Sequence, residues 1–252
     1  MSCKVSINLN QHIAQQYNLS SSLPSLLFAA KRSSSKSNQK LIKEKIVKLM
    51  FNKDQDFRKH LEEEISKLSN VNYFFKETGQ HENFNLLFYA SQNNCMAATV
   101  FLLRKGADPS LVNNKGTTVL HLMAKKGQVL MAKICLLNLP LKETKSNFIN
   151  GRSKSGCTPL MLAVENNHVD FVKLLLSEKA LVNATIKTEW AEGWTAMHAA
   201  SKKNNLEIIK LLLNHGGDKN ITASHKNFKG KLKVEDVTTN EKIRKVLNEK
   251  II

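Results

Sequence analysis

Apolar residues recur at helical spacing over most of this 252-residue chain. In the stretch "GCTPLMLAVENNHVDFVKLLL", which begins at Gly156, the residues Leu160, Ala163 and Val164 stand at positions i, i+3 and i+4, a spacing that predicts a helix with one buried face. Two asparagines interrupt the pattern, and a second apolar series follows them and ends at Leu176. The stretch therefore predicts two short helices joined by a tight turn.

The same pattern occurs four times along the chain. The copies begin at residues 83, 116, 156 and 193, so the spacings between them are 33, 40 and 37 residues. The residues added in the two longer spacings fall between copies, and we expect them to form loops. A single helix pair of this size cannot bury its own apolar face, so the copies are predicted to stack, with Leu120, Leu160 and Met197 turned inward.

Polar and small residues mark the ends of the predicted helices at matching places in each copy. An Asn or Thr side chain at an N-cap accepts a hydrogen bond from the first free helical N–H groups, and Pro159 suits a first helical position because it lacks that donor. Asn and Gly tolerate the left-handed conformation of a tight turn. The predicted N-caps are Asn85, Thr118, Thr158 and Thr195, and the predicted turn residues are Asn94, Gly127, Asn167 and Asn204.

This pattern resembles the ankyrin repeat, whose consensus runs roughly G-x-T-P-L-H-x-A-A, a helical turn, and then V-V-x-L-L-L-x-x-G-A-D-x-N. The resemblance covers residues 83 to about 225 and implies an all-α ankyrin-repeat solenoid of four helix-turn-helix repeats. The predicted repeats span residues 83–115, 116–155, 156–192 and 193–225. Residues 226–252 keep an apolar rhythm but are otherwise very polar, which is typical of a C-terminal capping repeat.

The segment 1–80, before the first copy, is predicted to be a helical N-terminal extension. One helix is marked by apolar residues from Leu41 to Met50, and another by Phe57, Leu61, Ile65 and Leu68. Two interpretations of this segment stay open. It is either a cap that shields the first repeat or a small independent helical domain with its own partner.

The formal net charge is +17, and it is spread along the chain rather than gathered in one segment. Lysines outnumber arginines by 33 to 5, whereas a dedicated nucleic-acid reader usually combines a basic face with arginine or aromatic contacts. Dispersed lysines are more typical of a soluble, solvated surface. No stretch approaches the roughly 20 apolar residues of a membrane-spanning helix, and the first residues lack the apolar core of a secretory signal.

Candidate chemistry is sparse in this sequence. The four cysteines are scattered without metal-ligand spacing, and no phosphate-binding loop, dinucleotide fingerprint or hydrolase motif occurs. His121 and His198 occupy matching positions in two copies, and the resemblance implies that this histidine braces a loop by hydrogen bonding. We therefore expect no enzymatic activity, no metal and no cofactor, and an enzyme hidden within residues 1–80 is the least favoured alternative.

The resemblance implies a concave partner-binding surface made of loop tips and the exposed ends of the first helices. The loop-tip positions carried over are Asn114, Lys115, Lys154, Ser155, Ala191 and Glu192. The first-helix positions are Gln92, Lys125, Glu165 and Lys202. Two tryptophans beside the last tip, Trp190 and Trp194, are added because tryptophan is enriched at protein interfaces, although Trp194 could equally serve in packing.

Together these features favour a non-enzymatic protein–protein interaction module. The composition, rich in Lys and Asn with few Arg, is typical of an AT-rich genome, and the arrangement resembles secreted effectors of intracellular bacteria. A eukaryotic or viral adaptor is the alternative origin. We expect a host protein as partner and a cytoplasmic location, in the producing cell or, after translocation without a classical signal peptide, in a host cell. The alternative is an electrostatic binder of nucleic acid or anionic membrane through the basic surface.

Overall fold

The computed structural model describes residues 36–51, 57–72, 75–76, 83–139, 142–188, 191–224 and 230–248. These described residues fall into two compact units, one within 1–111 and 130–139 and the other within 112–129 and 140–252. Both units are helical, with strands only as short antiparallel pairs. Among the described residues, no helix is both long and apolar enough to cross a membrane.

The first unit contains two stacked helix pairs. Helix α1 (Lys36–Phe51) pairs with α2 (Phe57–Ser66), and α3 (Leu86–Gln92) pairs with α4 (Met96–Arg104). Between the pairs lie strands β1 (Phe75–Lys76) and β2 (Asn83–Phe84), which align Phe75 with Phe84. Helix α6 (Val129–Leu137) belongs to this unit from residue 130 onward.

Helices α1 and α2 stack on the first repeat as one repeat stacks on another. Helix α1 packs against α3, and α2 packs against α4, so first helix meets first helix and second meets second. The side chain of Asn72, just after α2, donates to the Gly106 carbonyl at 3.2 Å and accepts from the Asp108 amide at 2.8 Å. Helices α1 and α2 thus have the layout of a repeat, although their sequence departs from the consensus.

The second unit stacks its first helices in one row and its second helices in another. The first-helix row is α5 (Val119–Lys126), α8 (Pro159–Glu165), α10 (Ala196–Lys202) and a 3-10 helix (Val234–Val237). Helices α9 (Val169–Ser177) and α11 (Leu206–Asn214) form the other row. Strands β3 (Ala223–Ser224) and β4 (Lys231–Leu232) form a hairpin, and α12 (Glu241–Asn248) packs on the 3-10 helix.

The helix ends follow the predicted residue types. Asn85, Thr118, Thr158 and Thr195 are the N-caps of α3, α5, α8 and α10, which confirms the predicted helix starts. The predicted turn residues are also confirmed, because Asn94, Gly127, Asn167 and Asn204 have φ angles of 50°, 70°, 60° and 53°. The inward residues Leu120, Leu160 and Met197 are 2% exposed or less, as stacking requires.

The prediction that the lengthened connection after the second copy is a loop is wrong. Residues Lys142–Asn150 form helix α7, which packs against α8. Its Phe148 and Ile149 are buried, and Lys145 forms an ion pair with Glu178 at 2.6 Å. Only two adjacent residues of this helix are strongly apolar, so the sequence has no i, i+3, i+4 series that would predict it. The helix is stabilised instead by tertiary packing of the buried Phe148 side chain.

Candidate partner-binding surface

Two buried histidines hold neighbouring repeats of the second unit together. The Nδ1 atom of His121 accepts from the Thr118 amide at 3.1 Å, which leaves Nε2 to donate to the carbonyl oxygen of Cys157 at 3.3 Å. His198 repeats the arrangement with Thr195 and with the carbonyl oxygen of Leu232. The bracing role that the resemblance implied for both histidines is confirmed.

Burial sets the ionisation of these groups. Burial lowers the pKa of His121 to about 4, although its hydrogen bonds to the carbonyl oxygens of Cys157 and Gly151 act in the opposite direction. Burial also lowers the pKa of His198, opposed by its bond to Leu232. Both rings are therefore neutral at pH 7, and they position the loops rather than exchanging protons there.

Backbone hydrogen bonds connect the loop tips of adjacent repeats. The Lys154 amide donates to the Lys115 carbonyl at 2.9 Å, and the Ser224 amide donates to the Glu192 carbonyl at 2.8 Å. These bonds fix the backbone while the side chains of Asn114, Lys115, Lys154, Ser155 and Glu192 stay exposed. Ala191 is fully buried, so the expectation that it lies at an exposed tip is wrong. Its amide donates to the Thr188 carbonyl at 3.1 Å.

The predicted first-helix residues all lie at exposed helix ends. Lys125, Glu165 and Lys202 occupy matching positions near the ends of α5, α8 and α10 in the second unit. Gln92 is exposed at the corresponding end of α3 in the first unit. Lys125, Lys154 and Lys202 form no ion pair with any residue that the structure describes, so their charges are available to a partner.

Of the two predicted tryptophans, Trp194 is among the described residues. Trp190 lies outside the described residues. Trp194 is half-buried, and its ring centroid lies 5.2 Å from that of His198 and 5.9 Å from the Lys202 Nζ atom. The second distance is within the range of a cation–π contact. Trp194 thus packs against the bracing histidine and at the same time shows part of its ring to solvent.

A pocket of about 110 Å³ lies beside Trp194 in the second unit, between the third repeat (156–192) and the fourth (193–225). Ile186 is held there because its amide donates to the Trp194 carbonyl and its carbonyl accepts from the Gly193 amide, both at 2.9 Å. The lining residues include Cys157, Met161, Glu165, Ile186, Trp194 and Lys202. The pocket joins a loop tip to the ends of two first helices.

The sequence identified three of these lining residues and missed the others. Glu165, Trp194 and Lys202 were predicted surface residues. Met161 follows Leu160 in an apolar run, which pointed to the core, and Ile186 lies in a lengthened loop without repeat register. Lys203 is the remaining charged residue of the pocket, and it could have been found because it follows Lys202 at the end of the same helix.

The chemistry of the surface is that of recognition. Burial raises the pKa of the Cys157 thiol, and the nearby Glu165 carboxylate raises it further against a hydrogen bond from Ser155, so this cysteine is a poor nucleophile at neutral pH. Within the described ranges, no group of three or more His, Cys, Asp or Glu residues could hold a metal ion. The prominent groups are exposed lysines, the carboxylates of Glu165 and Glu192, and the half-buried Trp194.

Stacked helix-turn-helix units with exposed loop tips define an all-α repeat scaffold of the solenoid class. A family model described as "Ankyrin repeats (3 copies)" matches residues 86–186 and 147–223, which together cover more than half of the sequence. The chain belongs to the ankyrin-repeat family. Ankyrin repeats are protein–protein interaction modules, and the family is generally non-enzymatic.

Curated relatives share this repeat region. An ankyrin repeat protein of fowlpox virus is 34% identical over 150 residues, covering 58% of this chain and 41% of the relative. The mouse ankyrin repeat and SAM domain-containing protein 6 is 39% identical over 79 residues, covering 31% and 8%. The mouse B-cell lymphoma 3 protein homolog is 32% identical over 133 residues, covering 52% and 28%. The chain spans less than half the length of each of these relatives.

Proposed function

We propose that this protein is a non-enzymatic binding module whose partner protein contacts the loop tips and first-helix ends of the second unit. The observation that carries the proposal is that the residues that hold the loops in place are different from the residues that are exposed to a partner. Buried histidines and backbone bonds fix the loops, while the charged side chains of Lys125, Lys154 and Lys202 stay exposed without ion pairs in the described part. A rigid scaffold with uncommitted surface charges is suited to recognition.

The test is partner capture by matched variants of the full chain. The surface variant combines Lys154→Glu with Lys202→Glu, and the control variant is Lys210→Glu, an exposed lysine on the second helix α11. We expect the surface variant to lose a bound protein that the wild type and the control retain, with unchanged thermal unfolding. Equal capture by all three proteins would contradict the placement of the site.

A second surface variant tests the last loop tip, next to Trp194. It combines Trp190→Ala with Glu192→Lys, and Glu192 is exposed at the last loop tip. We expect loss of partner capture with a melting temperature close to that of the wild type. Retained binding would exclude this part of the surface.

We further propose that the partner is a host protein and that the chain acts as a secreted effector in the host cytoplasm. The support is compositional, since lysine and asparagine abound while arginines number only 5. The test is a fusion to a reporter that becomes active only in host cytosol, expressed in the producing organism during infection. Reporter activity that stays confined to the producing cell would contradict the proposal.

An electrostatic binder of nucleic acid or anionic membrane is the second candidate function, and the net charge of +17 favours it. Neutralising several phosphates would make the affinity fall steeply as salt rises, because bound counterions are released. Titration of a labelled oligonucleotide and of phosphatidylserine vesicles at two salt concentrations tests this candidate. A protein complex that persists in high salt, without binding of either anionic probe, would exclude it.

A further inference from the structure

We propose that the pocket beside Trp194 anchors one aliphatic side chain of an acidic peptide segment in the partner. Carboxylates on both sides of this side chain would meet Lys202 and Lys203 at one end and Lys125 at the other. The inference rests on the proposed function and specifies the chemistry of the partner.

The size and lining of the pocket select an aliphatic side chain. A cavity of about 150 Å³ lined by aliphatic and aromatic residues holds a benzene molecule. The pocket beside Trp194 measures about 110 Å³, and Met161, Ile186 and the Trp194 ring contribute apolar surface to it. A leucine, isoleucine or methionine side chain is therefore of a size that the pocket can accept.

The charges around the pocket favour carboxylates next to the anchored side chain. Lys202 and Lys203 line the pocket and are exposed, and neither forms an ion pair with a described residue. Lys202 lies 5.9 Å from the Trp194 centroid, so it remains at the pocket rather than pointing away. A carboxylate adjacent to the aliphatic side chain would come within reach of both ammonium groups.

The repeat register places a second cation at a defined distance. Lys125 is two first helices away from Lys202 in the α5, α8, α10 row, and Glu165 occupies the matching position between them. Packed helices lie about 8–10 Å apart, so the axes of the helices that carry Lys125 and Lys202 are separated by about 16–20 Å. An extended peptide covers that distance in about six residues. The preferred segment thus has acidic ends and a neutral or basic residue opposite Glu165.

Nucleic acid fits this site less well than an acidic peptide does. A phosphate backbone following the same row would pass the Glu165 carboxylate, which would repel it. The pocket presents one tryptophan, whereas single strands are usually bound by successive aromatic platforms. The alternation of cation, carboxylate and cation suits a chain whose charges can also alternate.

The probe is a set of fluorescein-labelled synthetic peptides of about 14 residues, long enough to span the row in either direction. Each contains one leucine, a glutamate pair next to it and a second glutamate pair about six residues away, before or after the leucine. Matched peptides replace leucine by serine, or all glutamates by lysines. We expect the leucine–glutamate peptides to bind, and both replacements to weaken binding by about tenfold or more.

Charge reversal in the protein supplies a readout that misfolding cannot imitate. The variant Lys202→Glu with Lys203→Glu should lose the glutamate peptides and gain affinity for the lysine peptides. Lys210→Glu, the control on α11, should change neither affinity by more than about twofold. If the double variant binds the glutamate peptides as tightly as the wild type does, the assignment is wrong.

The pocket can also be filled after folding. Cys157 lines the pocket and is partly exposed, whereas Cys95 and Cys135 are buried. Excess N-ethylmaleimide at about pH 8.5, where a larger fraction of the Cys157 thiol is ionised than at neutral pH, should alkylate it and block peptide binding in the wild type. The Cys157→Ser protein, treated identically, keeps every other cysteine and should still bind. Full binding by wild type with modified Cys157 would show that the pocket is not used.

The outcomes separate this inference from the proposed function. If no peptide of the set binds, or if serine replaces leucine without loss, the peptide chemistry assigned here is wrong. A protein captured equally by wild type and by Lys202→Glu with Lys203→Glu would leave the binding module standing but exclude this pocket. If an oligo-dT probe binds and is lost in the same double variant while no peptide binds, both the inference and the protein-binding function fail.

Discussion

The imidazole of His121 donates a hydrogen bond to the carbonyl oxygen of Cys157, 36 residues further along the chain. This one bond joins the first helix of the second repeat to the loop that precedes the first helix of the third. Cys157 also lines the pocket beside Trp194. The same bond therefore holds one repeat against the next and positions part of the candidate binding surface.

The histidine braces predict a loss of stability in mild acid. Burial lowers the pKa of His121 from 6.5 to about 4, so the folded state resists protonation and its free energy of unfolding falls as pH decreases through this interval. A tenfold difference in proton affinity corresponds to about 1.4 kcal/mol, which gives a loss of about 3 kcal/mol by pH 4. Urea unfolding at several pH values measures it.

Two single substitutions isolate the contribution of His121 to that pH dependence. His121→Gln removes the titrating ring and should make the stability profile between pH 6.5 and about 4 shallower than that of the wild type. Asn214→Gln changes an exposed side chain that carries no titratable group and should leave the profile as it is. Parallel profiles for wild type and His121→Gln would contradict the assignment.

Alanine substitutions at two glycines distinguish the cost of backbone strain from the cost of steric overlap. Gly193 and Gly216 both have a φ angle of 81°, but a Cβ atom at Gly193 would overlap the carbonyl oxygen of Thr222, whereas one at Gly216 meets nothing within 4 Å. Gly216→Ala should cost about 1 kcal/mol of unfolding free energy from the left-handed conformation alone. Gly193→Ala should cost at least about 2 kcal/mol more. Equal costs in urea denaturation would refute the close approach of the two loops.

The C-terminal cap depends on one buried hydroxyl group. Ser201 is fully buried and donates to the carbonyl oxygen of Val234 at 2.7 Å. Ser201→Ala leaves that carbonyl without its partner and should cost about 1–2 kcal/mol. Hydrogen exchange should accelerate over residues 234–248, which form the 3-10 helix and α12. Ser177→Ala, which removes a hydroxyl bonded only within its own helix, should cost less than about 0.5 kcal/mol, and equal effects would argue against the docking role.

Truncating the buried side chain of helix α7 should lower the free energy of unfolding strongly, although the sequence of this segment is typical of a loop. Phe148 is 1% exposed, so Phe148→Ala should lower the free energy of unfolding by about 3–5 kcal/mol. The neighbouring Asn147 is exposed, and Asn147→Ala should change it by less than about 0.5 kcal/mol. Thermal and urea unfolding of the two variants provide the measurement. A mild Phe148→Ala phenotype would mean that this segment is not packed into the unit.

Helix starts and turns were predictable because each is decided by a few adjacent atoms. A threonine such as Thr158 caps a helix by accepting from the amide of Met161, and an asparagine such as Asn167 enters the left-handed region at little cost. Repetition strengthened these local signals by placing them in register. The bracing by His121 and His198 was likewise available from the repeat motif.

The candidate site was predictable only in part. Exposed positions such as Lys125 and Lys202 follow from the repeat register, because the same position of each first helix points the same way. The pocket does not follow from it, since Ile186 comes from a loop with no register and Met161 from an apolar run that also reaches the core. The burial of Ala191 is set by tertiary packing, which a position-by-position transfer of the repeat pattern cannot anticipate.

By itself, the sequence determined the repeat, its helix boundaries and the mutual burial of neighbouring copies, because short-range periodicity and capping chemistry are written in consecutive residues. Only the tertiary structure decided that Lys142–Asn150 is a helix, that α1 and α2 continue the stack, and that Ile186 meets Trp194 beside a pocket. Those features depend on which surfaces meet after the repeats have stacked. Contacts between distant residues lower the free energy of conformations that the local sequence leaves undecided.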